Sequence, residues 1–270
     1  MSAGISILLA TRGRTDMLKR SLLSLADTAH DTSNLEILLA FDDDDTETYE
    51  WVAENVLPEL DSRGVAYSCM SFERMGYIRL NEYYNALSAA ANGDWLFFWG
   101  DDAIMETADW DTAILAETRF RVLRAPAHNY HPIAIFPIVP KKWYELFGYF
   151  SAHQLNDNWV SQVAYMSGIM ENIPVEITHD RFDLTGNNND ENYQNRPMLE
   201  GNPADPRDFH HPSWTKRRID DCKKIAEYLK SQGEDTTWWE NVMANKQDPW
   251  EKLKANDPNK QMMQFELRNI

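Results

Sequence analysis

Two adjacent carboxylates, Asp101 and Asp102, follow the aromatic run Trp95-Leu-Phe-Phe-Trp99 across a single glycine, Gly100. A run this short, dense in flat side chains and opened by Asn92-Gly93-Asp94, predicts a buried strand. Carboxylates at the mouth of such a strand are costly unless something cationic meets them. A divalent metal carrying a diphosphate would do so, which makes chemistry on a nucleotide-activated substrate the first expectation. Oxygen ligands suit Mg2+ or Mn2+, with substrate phosphates completing the shell. His179 ends a later apolar segment, Val175-Glu-Ile-Thr178, and offers a nitrogen ligand, which tilts the choice toward Mn2+.

Two other polar clusters end apolar runs in the same way. Thr11-Arg12-Gly13-Arg14 follows Ile5-Ser-Ile-Leu-Leu-Ala10, and Asp42-Asp43-Asp44-Asp45 follows Leu35-Glu-Ile-Leu-Leu-Ala-Phe41. Asp42 suits a base edge or a ribose, with Asp43 beside it. Arg79, at the start of a helix, could hold a phosphate or a base. The plainer reading of each acid is a polar turn or the first turn of a helix, where negative charge suits the dipole. The convergence of three such sites carries the argument.

The elements that must position them alternate. Strands are expected at 5–10, 35–41, 65–70 and 95–99. Helices are expected from Thr15, as cap, through Leu18, Leu22 and Leu25; from Thr46 to Leu57, with Tyr49, Val52, Ala53 and Val56 inward; and from Leu80 to Ala91. Strand and helix in turn imply a mainly parallel sheet flanked by helices. Ligands of an open parallel sheet sit beyond the carboxyl ends of its strands, and all three polar clusters land there. The second half is less regular. Helices are expected at 110–117, from Pro140 to Phe147 and at 156–171, with strands at 131–139 and 175–178. Loop follows at 183–212, around Asn187-Asn-Asn-Asp190, and a charged, Trp-rich helical tail from Ser213 holds Trp214, Trp238, Trp239 and Trp250. The expected organisation is a catalytic domain at 1–212 and a helical extension at 213–270 packed on it.

The net charge of −17 disfavours general nucleic-acid binding, because such a chain gains little from releasing phosphate counterions. Cys69 and Cys222, the only cysteines, stand far apart, so a disulfide framework is not expected. The N-terminus lacks a basic leader region and no apolar stretch approaches the roughly 18 residues of a membrane span, so a cytoplasmic protein is expected.

Taken in order and spacing, four segments resemble the family-2-type glycosyltransferases with the GT-A fold: Ile5 to Arg14, Glu36-Ile-Leu-Leu-Ala-Phe-Asp-Asp43, Arg79-Leu-Asn-Glu-Tyr-Tyr-Asn-Ala-Leu87, and Asn92 to Asp102. The resemblance spans roughly residues 4 to 180. It implies an α/β, Rossmann-like architecture and transfer of a sugar from a nucleoside diphosphate sugar, UDP-type, to an acceptor hydroxyl on a glycan or small molecule. It implies that Thr11 and Asp42 bind the base, that Arg79 contacts the nucleotide, and that Asp101 meets the ribose and Asp102 a Mn2+ or Mg2+ ion. Arg14 and Asp43 complete the expected donor set. Where many members read Asp-x-Asp, this chain reads Trp99-Gly100-Asp101. Inverting members carry an acidic pair on a later helix whose Asp is the general base. Leu155-Asn-Asp-Asn-Trp159 occupies that place, so Asp157 is the base candidate, with Asn156 where the pair has Glu. Gly148, His153 and the aromatics Trp143, Tyr144, Phe147, Tyr149 and Phe150 are candidates for the acceptor side. Nucleotidyl transfer to a sugar phosphate and non-catalytic binding of a nucleotide sugar are the rival readings.

Overall fold

The computed structural model describes residues 4–126, 133–187, 189–194, 196–237 and 239. In chain order the elements are β1 (Ile5–Thr11), α1 (Thr15–Thr28), β2 (Leu35–Asp42), α2 (Thr46–Asn55), α3 (Leu57–Ser62), β3 (Ala66–Phe72), α4 (Leu80–Ala90), β4 (Trp95–Phe98), β5 (Ala103–Met105), α5 (Trp110–Leu115), β6 (Val122–Arg124), β7 (Ile138–Pro140), α6 (Lys141–Phe147), α7 (Asn156–Met166), β8 (Met170–Asn172), β9 (Ile177–His179), α8 (Phe182–Thr185), α9 (Glu191–Gln194) and α10 (Pro212–Ser231).

The main sheet has the order β3-β2-β1-β4-β7-β6-β8 among the described residues, and β5 pairs with β9 in a separate ribbon. The pairs β1–β2, β2–β3 and β1–β4 are parallel, while β7 runs antiparallel to both β4 and β6. From β1 the chain builds outward through β2 and β3, then returns to the other side of β1 to form β4. The crevice between the carboxyl ends of β1 and β4 is therefore the point where the winding reverses, which is where such sheets bind ligands.

Alternation along the strands sorts the core into two layers. Ile5, Ile7 and Leu9 of β1, with Ile37, Leu39, Phe97 and Trp110, bury one sheet face under Leu18, Leu22 and Leu25 of α1 and Val52 of α2. Leu8, Leu38, Ala40 and Leu96 point the other way, into Tyr84 and Leu87 of α4, Trp143 of α6, Val160 and Val163 of α7, and Ile219, Cys222 and Ile225 of α10. Strands apolar on both sides are what a sheet covered on both faces requires. Each fully buried leucine of α1 contributes roughly 1.5–3 kcal/mol.

Several expected boundaries move. Arg14, not Thr15, stands at the cap position of α1, and no side chain closes that end. The helix expected to reach Leu57 ends at Asn55, and α3 restarts with a proline in its first turn. Tyr49, expected inward, is 46% exposed and lies edge-on to Phe41, while Val52 and Val56 are buried as expected. The helix expected at 156–171 stops at Met166, because Met170–Asn172 forms an edge strand instead. Pro140 closes β7 and precedes α6 rather than beginning it. The expected strand at 131–139 is described only from residue 133 and is regular only from Ile138. Asn188, Trp238 and Trp250 lie outside the described residues. Among those described, no helix is long and apolar enough to cross a membrane.

Candidate active site

The Gly100 turn that delivers the acid pair is fastened from three sides. Trp99 Nε1 donates to Ser21 Oγ at 2.7 Å, Ser21 Oγ donates to the Gly100 carbonyl at 2.9 Å, and Tyr84 Oη donates to the Trp99 carbonyl at 3.0 Å. A side chain at position 100 would push the Asp102 carboxylate aside: its Cβ would lie 2.8 Å from Asp102 Oδ1. The glycine thus lets the carboxylates follow a buried strand directly.

The small ribbon then brings in the histidine. Ala103 of β5 pairs with His179 of β9, and the Asp180 N–H donates to the Asp102 carbonyl at 2.7 Å. This register sets His179 Nε2 3.4 Å from Asp102 Oδ2. Asp180 itself is held by Arg20, Thr185 and Asn187.

The end of β1 stitches this cluster to the acids after β2. Thr11 Oγ1 donates to Asp101 Oδ2 at 3.1 Å, and Arg12 Nη1 donates to Asp42 Oδ2 at 3.0 Å. Arg12 also forks onto Asp44. Tyr83 Oη donates to the other Asp42 oxygen while accepting the Met75 N–H at 2.8 Å. Gly13 adopts φ +66°, in the left-handed region that glycine enters freely, and its N–H meets Asp45 Oδ2 and Thr48 Oγ1, each at 3.0 Å. Arg14 donates through Nη1 to Asp101 Oδ1 at 2.8 Å, lies 3.9 Å from Asp102, and bonds Asp190 through Nε and Nη2 at 2.6 and 2.8 Å. Asp42, Asp101 and Asp102 therefore share one rim, joined by successive residues of one strand end.

The charges on this rim divide by environment. Burial pushes the Asp101 carboxyl up to about 6, with the neighbouring Asp102 adding to the shift and Arg14 opposing it. Burial acts on Asp102 too, but the His179 hydrogen bond and the His179 and Arg14 charges outweigh it and hold Asp102 below the ordinary carboxylate range. Burial works against the Arg14 charge, and Asp101 and Asp190 more than offset it, so the guanidinium stays firmly protonated. Adjacent carboxyls driven in opposite directions are a frequent mark of a working site.

The remaining sequence candidates lie around this cluster. Asp157 opens α7, is partly buried, and accepts the Asn158 N–H at 2.9 Å. Burial raises its pKa, and His179 and Arg181 are close enough to pull it back, which puts Asp157 on the His179 side of the rim. Asp43 is exposed, and its N–H continues the sheet by donating to the Phe72 carbonyl at 2.7 Å. Arg79 is forked onto Glu82 by two 2.6 Å bonds at the start of α4, so its guanidinium meets neither Asp42 nor the Asp101–Asp102 pair. The proposed acceptor aromatics Trp143, Phe147, Tyr149 and Phe150 are buried in the second core layer, as is His153, and do not line a surface. A cavity of about 250 Å3 between Arg121, Ser167, Leu229 and Trp239 opens at the starts of β6 and β8, the sheet edge opposite this rim.

Sequence reading missed three participants. Asp190 comes from the Asn-rich loop, Arg181 follows His179-Asp180 directly, and Tyr77 stands in the turn before α4. Burial raises the Tyr77 hydroxyl, with Arg14 opposing and Asp101 and Asp102 adding, which locates it beside the rim. Only Arg181 carried a signal, a cation adjoining a candidate ligand.

Among the described residues no three His, Cys, Asp or Glu side chains gather as a metal cage. The Asp102–His179 contact still fits a Mg2+ or Mn2+ ion that takes its remaining ligands from water and substrate phosphates, since such ions need only one or two protein groups.

No protein-family model and no curated protein sequence matches the chain. Solved structures do match its fold. The mannosyltransferase PcManGT from Pyrobaculum calidifontis, in complex with GDP-Man and Mn2+, is 12% identical with TM-score 0.54, over 96% of this chain and 82% of that one. TarS 1-349 from S. aureus, in complex with UDP, is 15% identical with TM-score 0.48, over 66% of this chain and 58% of that one. This chain therefore spans under three-fifths of that TarS chain. The shared fold is the GT-A-like one: a mainly parallel central sheet flanked by helices.

Proposed function

We propose that the chain transfers a sugar from a nucleoside diphosphate sugar, UDP-type, to an acceptor hydroxyl with inversion, in the manner of family-2-type glycosyltransferases. The observation that supports it is the meeting of Thr11, Arg14, Asp101, Asp102 and His179 at the switch point of the sheet. Thr11 and Asp42 would hold the base, Asp101 the ribose, and Arg14 the diphosphate. Asp43 stands at the edge of this donor site, and Arg79 joins it on leaving Glu82. Asp102 and His179 would hold the Mn2+ or Mg2+, which when bound neutralises charge on the departing diphosphate. Asp157, made more basic by burial, is suited to take the acceptor's proton. Attack from the face opposite the leaving group, assisted by a single base, inverts the anomeric centre.

The Gly13 N–H is already committed to Asp45 and Thr48, so this backbone donor of the turn after β1 is not free for the phosphate of a nucleotidyltransferase's loop. The test is release of nucleoside diphosphate from UDP- and GDP-sugars, with and without acceptor, in Mn2+ or in chelator. Metal-dependent release supports the proposal, and inert donors overturn it.

A further inference from the structure

Arg14 is ringed by acids. Asp101 and Asp190 bond it and Asp102 lies 3.9 Å away, leaving only 10% of its side chain exposed. Asp101 and Asp102 are fixed by the Gly100 turn. Asp190 is less enclosed: it stands just before α9, on the stretch between β9 and α10, and its side chain is 33% exposed against 11% and 15% for the other two. Its two bonds to Nε and Nη2 use the planar fork that a guanidinium also offers to a phosphate. A diphosphate cannot reach that fork without expelling a carboxylate, and Asp190 is the most exposed of the three.

We propose that Asp190 is a displaceable stand-in for the donor's phosphate on Arg14, and so a specificity-determining residue. Resting on the donor-site reading above, the exchange runs as follows. The incoming diphosphate takes the Nε–Nη2 edge of Arg14 while Nη1 stays on Asp101. Asp190 swings away, still tied to the Tyr193 N–H that it accepts at 2.8 Å. An anion must outcompete an existing carboxylate to enter, which favours a diphosphate over a singly charged phosphodiester.

The experiment is calorimetric binding of inorganic pyrophosphate, and of UDP and GDP, to the full chain as wild type, Asp190→Asn, Arg14→Met and the double variant. Asp190→Asn keeps the bulk and the bond to Tyr193 but removes the competing charge. It is expected to tighten pyrophosphate binding about tenfold. In the Arg14→Met background the same change is expected to gain nothing, because the benefit runs through the freed guanidinium. Unchanged or weaker binding in Asp190→Asn overturns the exchange, as does an equal gain without Arg14, which would report only lost repulsion. If UDP or GDP binds but Asp190→Asn brings no gain, the exchange alone fails. If neither nucleotide binds any of the four proteins, the donor-site reading fails with it.

Discussion

Two buried carboxyls, Asp101 and Asp221, are both pushed up to about 6 by burial, yet they belong to different kinds of place. Asp221 on α10 is fully buried, and the Tyr149 hydroxyl lies 2.6 and 2.7 Å from its two oxygens. Arg217 Nε closes that group by donating to Tyr149 Oη at 3.0 Å. Asp101 instead belongs to a wider network: Thr11 and Arg14 at the end of β1 bond it, Arg14 runs on to Asp190, and Asp102 beside it meets His179. One cluster is finished and fastens α10 to the core. The other is assembled from strand ends around a buried cation, Arg14, which the proposed function gives to an incoming ligand. A shifted pKa marks burial in both, and the convergence of segments separates the site from the scaffold.

The sharpest way to break this contrast is at the chemistry. Asp157→Asn is expected to lower kcat by about 10²–10⁴ while donor KM stays, since only the proton acceptor is lost. Asp102→Ala is expected to abolish metal-stimulated turnover, whereas Asp221→Asn leaves donor KM where it was. Steady-state kinetics on the three variants decides, and an active Asp157→Asn refutes the base assignment.

A second difference concerns pH and stability. The native Asp221 carboxyl keeps its proton up to about pH 6, whereas the unfolded one releases it near 3.8. The native state binds more protons between those values, so stability falls as pH rises through that window. Asp221→Asn is expected to flatten this decline by up to about 3 kcal/mol, read from urea melts between pH 4 and 7. Asp101 moves stability in the same direction and should also tie activity to pH: turnover is expected to fall below about pH 6 as its carboxylate is neutralised. A pH-rate profile flat down to pH 5 would place Asp101 with the scaffold.

The smallest expected effect is at Arg79. Its pair with Glu82 is exposed and screened by solvent, so Arg79→Ala is expected to leave the urea-melt midpoint essentially where it was. A severalfold rise in donor KM in the same variant would bring Arg79 into the donor site, and an unchanged KM would leave it a surface pair.

Much of the fold was legible because the N-terminal strands are apolar on both faces and separated by amphipathic helices, so period and order could be read directly. Leu18, Leu22 and Leu25 announced the buried side of α1 for the same reason. The second half resisted because its strands are three residues long and set by pairing rather than pattern: Met170–Asn172 exists as a strand only because Val122–Arg124 lies beside it. The site divides in the same way. Asp42, Asp101 and Asp102 announce themselves as acids closing apolar runs, and His179 by its place at a strand end. Asp190 and Tyr77 do not, because a loop residue reached only through Arg14, and a turn residue beside the rim, leave no periodic trace.

The claim beneath all of this is that acids at the β2 and β4 strand ends, with Thr11 and Arg14 at the end of β1, hold a nucleoside diphosphate through a divalent cation. Thermal unfolding of the wild type and Asp102→Ala with UDP or GDP, each with and without Mn2+, tests it most directly. A nucleotide present at about 100 times its Kd adds roughly 2.7 kcal/mol. The account predicts stabilisation of that order in the wild type with Mn2+, and loss of the Mn2+-dependent part in Asp102→Ala. No shift with either nucleotide, or an equal Mn2+-dependent shift in the variant, would contradict it.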